Sequence, residues 1–179
     1  MTRLFAFLRG VNIGKRTMTK QDLCQSFARA GFPGAETFLA SGNVVFDGEK
    51  SPQTVSRLEN QIETDFGFKA EIMLRSLKDL RAMVQSDPFG GRKPDTDIKF
   101  YVFILGDPLG KFLPHPHGVA GDFEVTRLDD YEIYAIAYRL PNGRFGPGLD
   151  MIAKPFGRYI TNRNWNTVLR LIDREEKTT

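Results

Sequence analysis

Arg9, Asn12, Gly14 and Lys15, within the stretch RGVNIGKR, are the first residues in this sequence whose types and spacing could do chemistry. Two cations, an amide and a glycine that lets backbone approach a ligand closely make a loose phosphate cradle. Neither GxxxxGK[ST] nor GxGxxG is present, so the motif specifies no nucleotide, and an ordinary strand-to-helix turn would use the same residues. Ser41, Gly42 and Asn43 add small polar donors in a second segment. The third segment, TNRNWNTV, sets the sole tryptophan, Trp165, among Asn162, Arg163, Asn164, Asn166 and Thr167. The free backbone N–H groups of a helix start attract anions. A cation in the first turn, with Asp173, Glu175 and Glu176 near the other end, opposes the macrodipole by about 0.3–1 kcal/mol per exposed charge. A bound phosphate would offset that cost for Arg163, and so would a carboxylate from a facing lobe.

Other constellations carry less. His115 and His117 lie in PHPHG without a third ligand, so no metal site is expected and the segment reads as a proline-stiffened surface loop. Cys24, beside Leu23 and Phe27 on a helix, reads as a buried, inert thiol. GxSxG is absent, and Asp129-Asp130 suits a solvent-facing turn. The aromatics of YVFIL and YEIYAIAYRL lack the K/R-G-F/Y pattern of an RNA-recognition sheet.

The elements that must position these residues follow from periodicity and punctuation. RLFAFLR (3–9) is apolar on successive positions, as in a central strand covered on both faces. TKQDLCQSFARAG is a helix with Thr19 as N-cap, Asp22 three residues on, a Met18–Leu23 staple and Gly31 as its stop. TFLA and NVVF are short strands, with Ser41-Gly42-Asn43 as a tight hairpin turn in which Gly42 or Asn43 takes positive φ. Ser51 caps a helix with Pro52 at its first position, Val55, Leu58, Ile62 and Phe66 on one face, and Gly67 as terminator. KAEIMLR is a strand, and a helix follows, capped by Ser76 and stopped at Pro88. Strand, helix, strand, strand, helix, strand is the split βαβ order, so residues 1–90 are expected to form a ferredoxin-like lobe. Chain direction then places GVNIGKR and SGN on one rim.

Beyond the Gly/Pro-rich linker GGRKPDTD, residues 91–179 imply a second α+β lobe with a smaller antiparallel sheet and helices. KFYVFIL is a strand, FEVTRL and YEIYAIAYRL form a hairpin, and GPGLDMIAKPFG holds a short helix. RYIT is a faint strand. The terminal helix places Trp165, Val168, Leu169 and Ile172 at helical spacing, which makes core packing the first role of the indole.

With 179 residues and 41% hydrophobic content, the α+β chain can bury a real core. Its net charge of +3 and pI near 9.0 permit a polyanionic partner without demanding one. One cysteine allows no internal disulfide, and the first ten residues lack a signal-peptide pattern, so a cytoplasmic setting is expected. No apolar run approaches the roughly 18 residues of a bilayer span.

LRGVNIGKRTM, LASGNVVFD and TNRNWNTV, in this order and at these separations, resemble the mostly bacterial family of unknown function sixteen-ninety-seven. The resemblance covers nearly the whole chain. It implies a stand-alone cytoplasmic α+β protein with characteristic residues at Arg9, Gly10, Asn12 and Gly14, at Ser41, Gly42 and Asn43, and at Arg163, Asn164, Trp165, Asn166 and Thr167. It carries no established activity and implies no cofactor. Members often follow the PNG-like turn with a Ser-Lys pair; this chain reads PNGRFGPGLD instead, leaving Arg144 or Lys154 to substitute for that lysine.

Together the three segments offer cations, amides, hydroxyls and backbone N–H groups, but no evident base or nucleophile. That profile suits recognition of a nucleotide, another phosphorylated small molecule or nucleic acid, with Arg9, Lys15 and Arg163 as charge partners and Asn12, Asn43 and Asn164 orienting the ligand. A transferase or hydrolase acting on a phosphorylated small molecule is the enzymatic alternative, and requires a carboxylate or histidine at the rim, most simply Asp47 or an acid of the second lobe. In a third alternative, Arg163 and its asparagines are purely structural.

Overall fold

The computed structural model describes residues 1–11, 18–110 and 117–178, and divides the chain into two compact units, Met1–Leu80 and Arg81–Thr179. Both mix helices with an antiparallel sheet. No helix among the described residues is long and apolar enough to cross a membrane.

The first unit runs β1 (Thr2–Arg9), α1 (Lys20–Arg29), β2 (Glu36–Phe38), β3 (Ala40–Gly48), α2 (Pro52–Phe66) and β4 (Glu71–Ser76), then enters α3 (Leu77–Gln85). Its sheet has the order β2-β3-β1-β4, with every neighbouring pair antiparallel. Leu4, Ala6 and Leu8 of β1 face the helices, packed with Phe46, Leu23, Phe27, Leu58 and Ile62. Phe5 and Phe7, on the opposite face, are equally buried, as the uninterrupted apolar run of β1 requires.

The helix ends follow local chemistry. Thr19 and Asp22 form a reciprocal capping box at α1. Ser51 caps α2 through the Thr54 N–H, with Pro52 at the first position, and Gly67 ends it at φ 71°. At α3, Ser76 Oγ accepts from the Asp79 N–H at 3.2 Å, while Asp79 Oδ2 accepts from the Ser76 N–H at 2.7 Å.

The SGN turn is not where the sequence places it. The chain reverses at Leu39, which takes φ 61°, and residues 41–43 already belong to β3. The β2–β3 register shifts between Thr37 and Phe38, from Thr37 opposite Val44 to Phe38 opposite Ala40, so the intervening residues of β3 bulge. Asn43 is buried within this irregularity and donates to the Phe38 carbonyl at 3.2 Å. That hydrogen bond satisfies a polar group in the sheet that a simple two-residue turn would leave in solvent.

The second unit contains β5 (Ile98–Leu105), β6 (Gly118–Val119), β7 (Phe123–Leu128), β8 (Glu132–Tyr138), α4 (Asp150–Ala153), β9 (Ile160–Asn164) and α5 (Trp165–Thr178). Among the described residues its sheet order is β6-β7-β8-β5-β9, five strands against four in the first unit, so it is not the smaller sheet the sequence suggests: the short β6 and the faint β9 add to the three strong strands. One face packs Phe103, Ile133, Ala135 and Ala137 against Leu149, Ile152 and Ile160. On the other face, Phe89 stacks on Phe100 at 4.1 Å between centroids and meets Tyr134 and Trp165 edge-on. The faint RYIT strand is real: β9 pairs with β5 from Ile160 opposite Leu105 to Asn164 opposite Tyr101.

The apolar stripe of α5 differs from the sequence expectation. Trp165, Val168 and Leu171 are buried, whereas Leu169 is 38% exposed. The aromatic contacts of Trp165 at the head of the helix set its rotation, and position 171 rather than 169 then faces inward.

Asp79 links the α3 cap to the Lys50 ammonium at 2.6 Å. Burial pushes its carboxyl up, but hydrogen bonds from Lys50 and Ser76 outweigh that effect and hold it below the usual value. A carboxylate depressed in the folded state contributes stability above its unfolded value, which is lost as pH falls through the folded value. Asp79→Asn is therefore expected to cost about 1 kcal/mol at pH 7. In paired thermal melts, the gap between parent and variant should close as pH drops below about 4; a pH-independent gap would contradict this account.

Candidate functional site

The junction of β9 and α5 carries the polar residues around Trp165. Pairing with β5 keeps the chain extended through Asn164, so Arg163 lies in a strand opposite Val102 and not in the first helical turn. The expected opposition to the helix dipole is thereby corrected: Arg163 precedes the helix. Its Nη1 donates to Thr161 Oγ1 and to the Asn162 carbonyl, both at 2.7 Å. Burial of this guanidinium lowers its pKa to about 10, which leaves it charged at neutral pH. Asn164 is the helix cap, its Oδ1 accepting from the Asn166 N–H at 3.0 Å.

Trp165 is 7% exposed, so the indole is core. It meets Phe89 at 5.3 Å and Tyr134 at 5.9 Å, both edge-on. The same ring also helps to wall a pocket of about 230 Å³ in the second unit. Phe89, Phe100 and Trp165 give that pocket its aromatic surface; Asp87, Arg92 and Asn166 are its polar members. Arg92 is held by Glu124 and by the Tyr138 hydroxyl, the latter at 3.2 Å. The side chain of Asn166 makes no hydrogen bond to a described residue, and of the Asp87 carboxylate only Oδ1 is engaged, by the Gly91 N–H at 2.9 Å. Phe89, Phe100 and Trp165 are themselves buried, so the pocket offers a small apolar patch beside a cation and unengaged polar groups.

In the first unit, Arg9 ends β1, and Gly10 follows at φ 81°, a conformation that favours glycine. Asn43 sits opposite Phe7 near that end of β1. Asn12, Gly14 and Lys15 lie outside the described residues, as does His115. Ser41 and Gly42 are in β3. Asp47, the simplest carboxylate for an enzymatic reading, pairs with Arg3 at 3.2 Å, four register positions along β1 from Phe7. Cys24 is partly exposed rather than buried. Arg144 and Lys154 are exposed.

Sequence reasoning passed over Asp87, Phe89, Arg92 and Phe100. An aromatic residue inside a Gly/Pro-rich segment, DPFGGRKP, was the available signal, because phenylalanine has no reason to sit in a solvated linker.

The sequence pattern of the family described as "Protein of unknown function (DUF1697)" matches residues 1–134. The chain belongs to this family. No match is found among curated proteins. Among solved structures, this DUF1697 chain is similar to a conserved bacterial protein from Streptococcus pneumoniae, with 22% identity and a TM-score of 0.70 over 97% of this chain and 99% of that one. This likeness concerns the fold.

Because Asn164 caps α5, Asn164→Ala is expected to cost about 1 kcal/mol and lower Tm by about 2–4 °C, whereas Asn164→Asp should stay close to the parent. Calorimetry of the three proteins checks this, and equal melting temperatures would remove the capping role.

Proposed function

We propose that this DUF1697 protein binds a phosphate-bearing ligand, a nucleotide or a nucleic-acid strand, at the pocket beside Trp165. One observation carries the proposal: the pocket brings the Arg92 guanidinium and Asn166, in the first turn of α5, beside an apolar lining of Phe89, Phe100 and Trp165. A guanidinium among the lining residues suits phosphate. As a separate proposal confined to the first unit, Arg9 and Lys15 supply phosphate contacts there, with Asn12 orienting the ligand. The strand order of that unit supports a ferredoxin-like description, since β4-β1-β3-β2 is the arrangement of a split βαβ unit. We further propose a cytoplasmic setting, consistent with a single cysteine.

A structural role for part of the polar motif has specific support. Asn43 bonds the Phe38 carbonyl, Asn164 caps α5, and Arg163 donates to the Asn162 carbonyl of its own strand. Each of these residues stabilises backbone directly, without a ligand.

Trp165 reports on both roles, because its emission senses the pocket and the core together. Titration with mononucleotides, ribose 5-phosphate and a short single-stranded oligonucleotide should give a saturable change. Arg92→Gln should weaken binding about tenfold. Absence of a saturable change with all ligands would end the proposal. Arg163→Ala should instead lower Tm while leaving the dissociation constant within about twofold; a large loss of affinity at unchanged Tm would move Arg163 from scaffold to ligand contact.

A further inference from the structure

Elsewhere in the chain exposed cations sit close to carboxylates, as Arg29 does to Asp65 at 2.8 Å and Lys177 to Asp173 at 2.7 Å. One end of the second sheet differs. The register that sets Lys99 of β5 opposite Ala137 of β8 puts Arg139, two residues along, on the same face. Arg139 then pairs with Phe145 across a short hairpin. Its turn is closed by the Leu140 N–H donating to the Arg144 carbonyl at 2.7 Å and the Gly143 N–H donating to the Leu140 carbonyl at 2.8 Å. Lys99 Nζ lies 4.1 Å from the centre of the half-buried Phe145 ring, a cation–π contact that holds the ammonium against the hairpin. The Arg139 guanidinium lies along the turn, since a Cβ at Gly143 would come 3.9 Å from its Nη2. Arg144 ends the turn, its N–H donating to Asn142 Oδ1 at 3.0 Å.

Lys99, Arg139 and Arg144 are all exposed. Among the described residues neither Lys99 nor Arg144 meets a carboxylate, and Arg139 meets only Asp97, at 3.9 Å with both side chains at least half in solvent. So long and so wet a pair neutralises little. Neighbouring positions on paired strands bring the three cations within a Debye length, roughly 10 Å at 0.1 M salt, so they repel one another. Residues 139–158, the segment that starts with this hairpin, hold four of the 25 basic residues and one of the 22 acidic ones, which leaves the rest of the chain without net charge. The net positive charge is therefore local and not spread over the surface.

Repulsion of this kind is relieved by a partner that presents several anions at short intervals. A nucleic-acid strand does so, with one phosphate per roughly 3.4 Å of duplex axis. No large apolar side chain is exposed in residues 92–101 or 138–147, which leaves nothing there to insert into a lipid surface. We propose that Lys99, Arg139 and Arg144 form a contact surface for the phosphate backbone of a nucleic-acid strand, without reading its sequence. None of the three lines the pocket beside Trp165, so this surface is independent of the pocket.

The test measures the anisotropy of a labelled single-stranded oligonucleotide titrated with the full chain at several salt concentrations. Parent, Arg144→Gln and the double variant Lys99→Gln with Arg144→Gln are compared. Three phosphate contacts predict a slope of log affinity against log salt of about −2, and each charge removed should reduce its magnitude by about 0.7. The double variant should lose at least about tenfold in affinity, equally for two unrelated sequences. Both substituted positions are exposed, so the melting temperature should hold within about 2 °C. Trp165 emission with mononucleotides, which follows the pocket, should be the same in parent and double variant. Oligonucleotide binding that the double variant retains in full, or that depends strongly on sequence, would overturn the proposal and leave the pocket reading untouched. Adsorption to phosphatidylserine vesicles without oligonucleotide binding would overturn it in favour of a lipid surface. Salt-dependent oligonucleotide binding that is lost in the double variant, alongside silence with mononucleotides, would support the hairpin surface and refute the pocket.

Discussion

The second unit depends on the edge-on packing of Trp165 against Phe89 and Tyr134, with Phe100 stacked beneath Phe89. Aromatic pairs of this geometry contribute about 0.5–1.5 kcal/mol each beyond the area they bury. Their positional effect matters as much as their energy. The cluster joins the head of α5, a central strand of the sheet and the segment after α3, three pieces far apart in sequence. An indole at the first position of a helix fixes how the helix rotates, and Val168 and Leu171 are buried as a consequence. The same ring walls the pocket, so one residue serves the core on one side and a candidate ligand on the other.

The polar residues around that ring divide by the state of their hydrogen bonds. Asn164 spends its side-chain oxygen on a helix N–H, and Arg163 spends one nitrogen on its own strand. In the first unit, Asn43 is likewise spent on the irregular β2–β3 connection. A buried polar group that loses its partner costs about 1–3 kcal/mol, which makes such residues sensitive to substitution whether or not a ligand binds. Asn166 and Asp87 differ, because each keeps polar capacity that no described residue uses. A motif can thus mark a place in the fold through some members and a chemistry through others.

Legibility followed the range of the interactions. Caps and stops act within four residues, and Thr19, Ser51, Ser76 and Gly67 could be read from sequence because nothing distant competes with them. The β1 run was readable for a similar reason: five successive apolar residues fit a strand covered on both faces. The reversal at Leu39 was not, since the SGN segment has ideal turn composition and only pairing with β1 draws it into β3. Arg163 reads as the start of a helix from its polar neighbours, whereas its conformation is set by a strand about sixty residues away. Pocket residues such as Phe89 and Arg92 were hidden in a stretch whose glycines and prolines mimic a linker.

The contrast between Arg92 and Asp87 shows why the site cannot be reduced to its charges. Arg92 is the obvious cation, yet Glu124 and Tyr138 already engage it, so an incoming phosphate gains only what it adds to or displaces from that network. Asp87 is the less obvious group, held in a left-handed conformation that extended backbone before a proline would relieve. Local hydrogen bonds from Gly90 and Gly91 help to retain it. The loop that holds Asp87 also carries Phe89 into the aromatic cluster, so the packing that stabilises the unit keeps the carboxylate in place. Pre-organisation of this kind lowers the ordering cost of binding, and links any affinity at the pocket to the integrity of the cluster behind it.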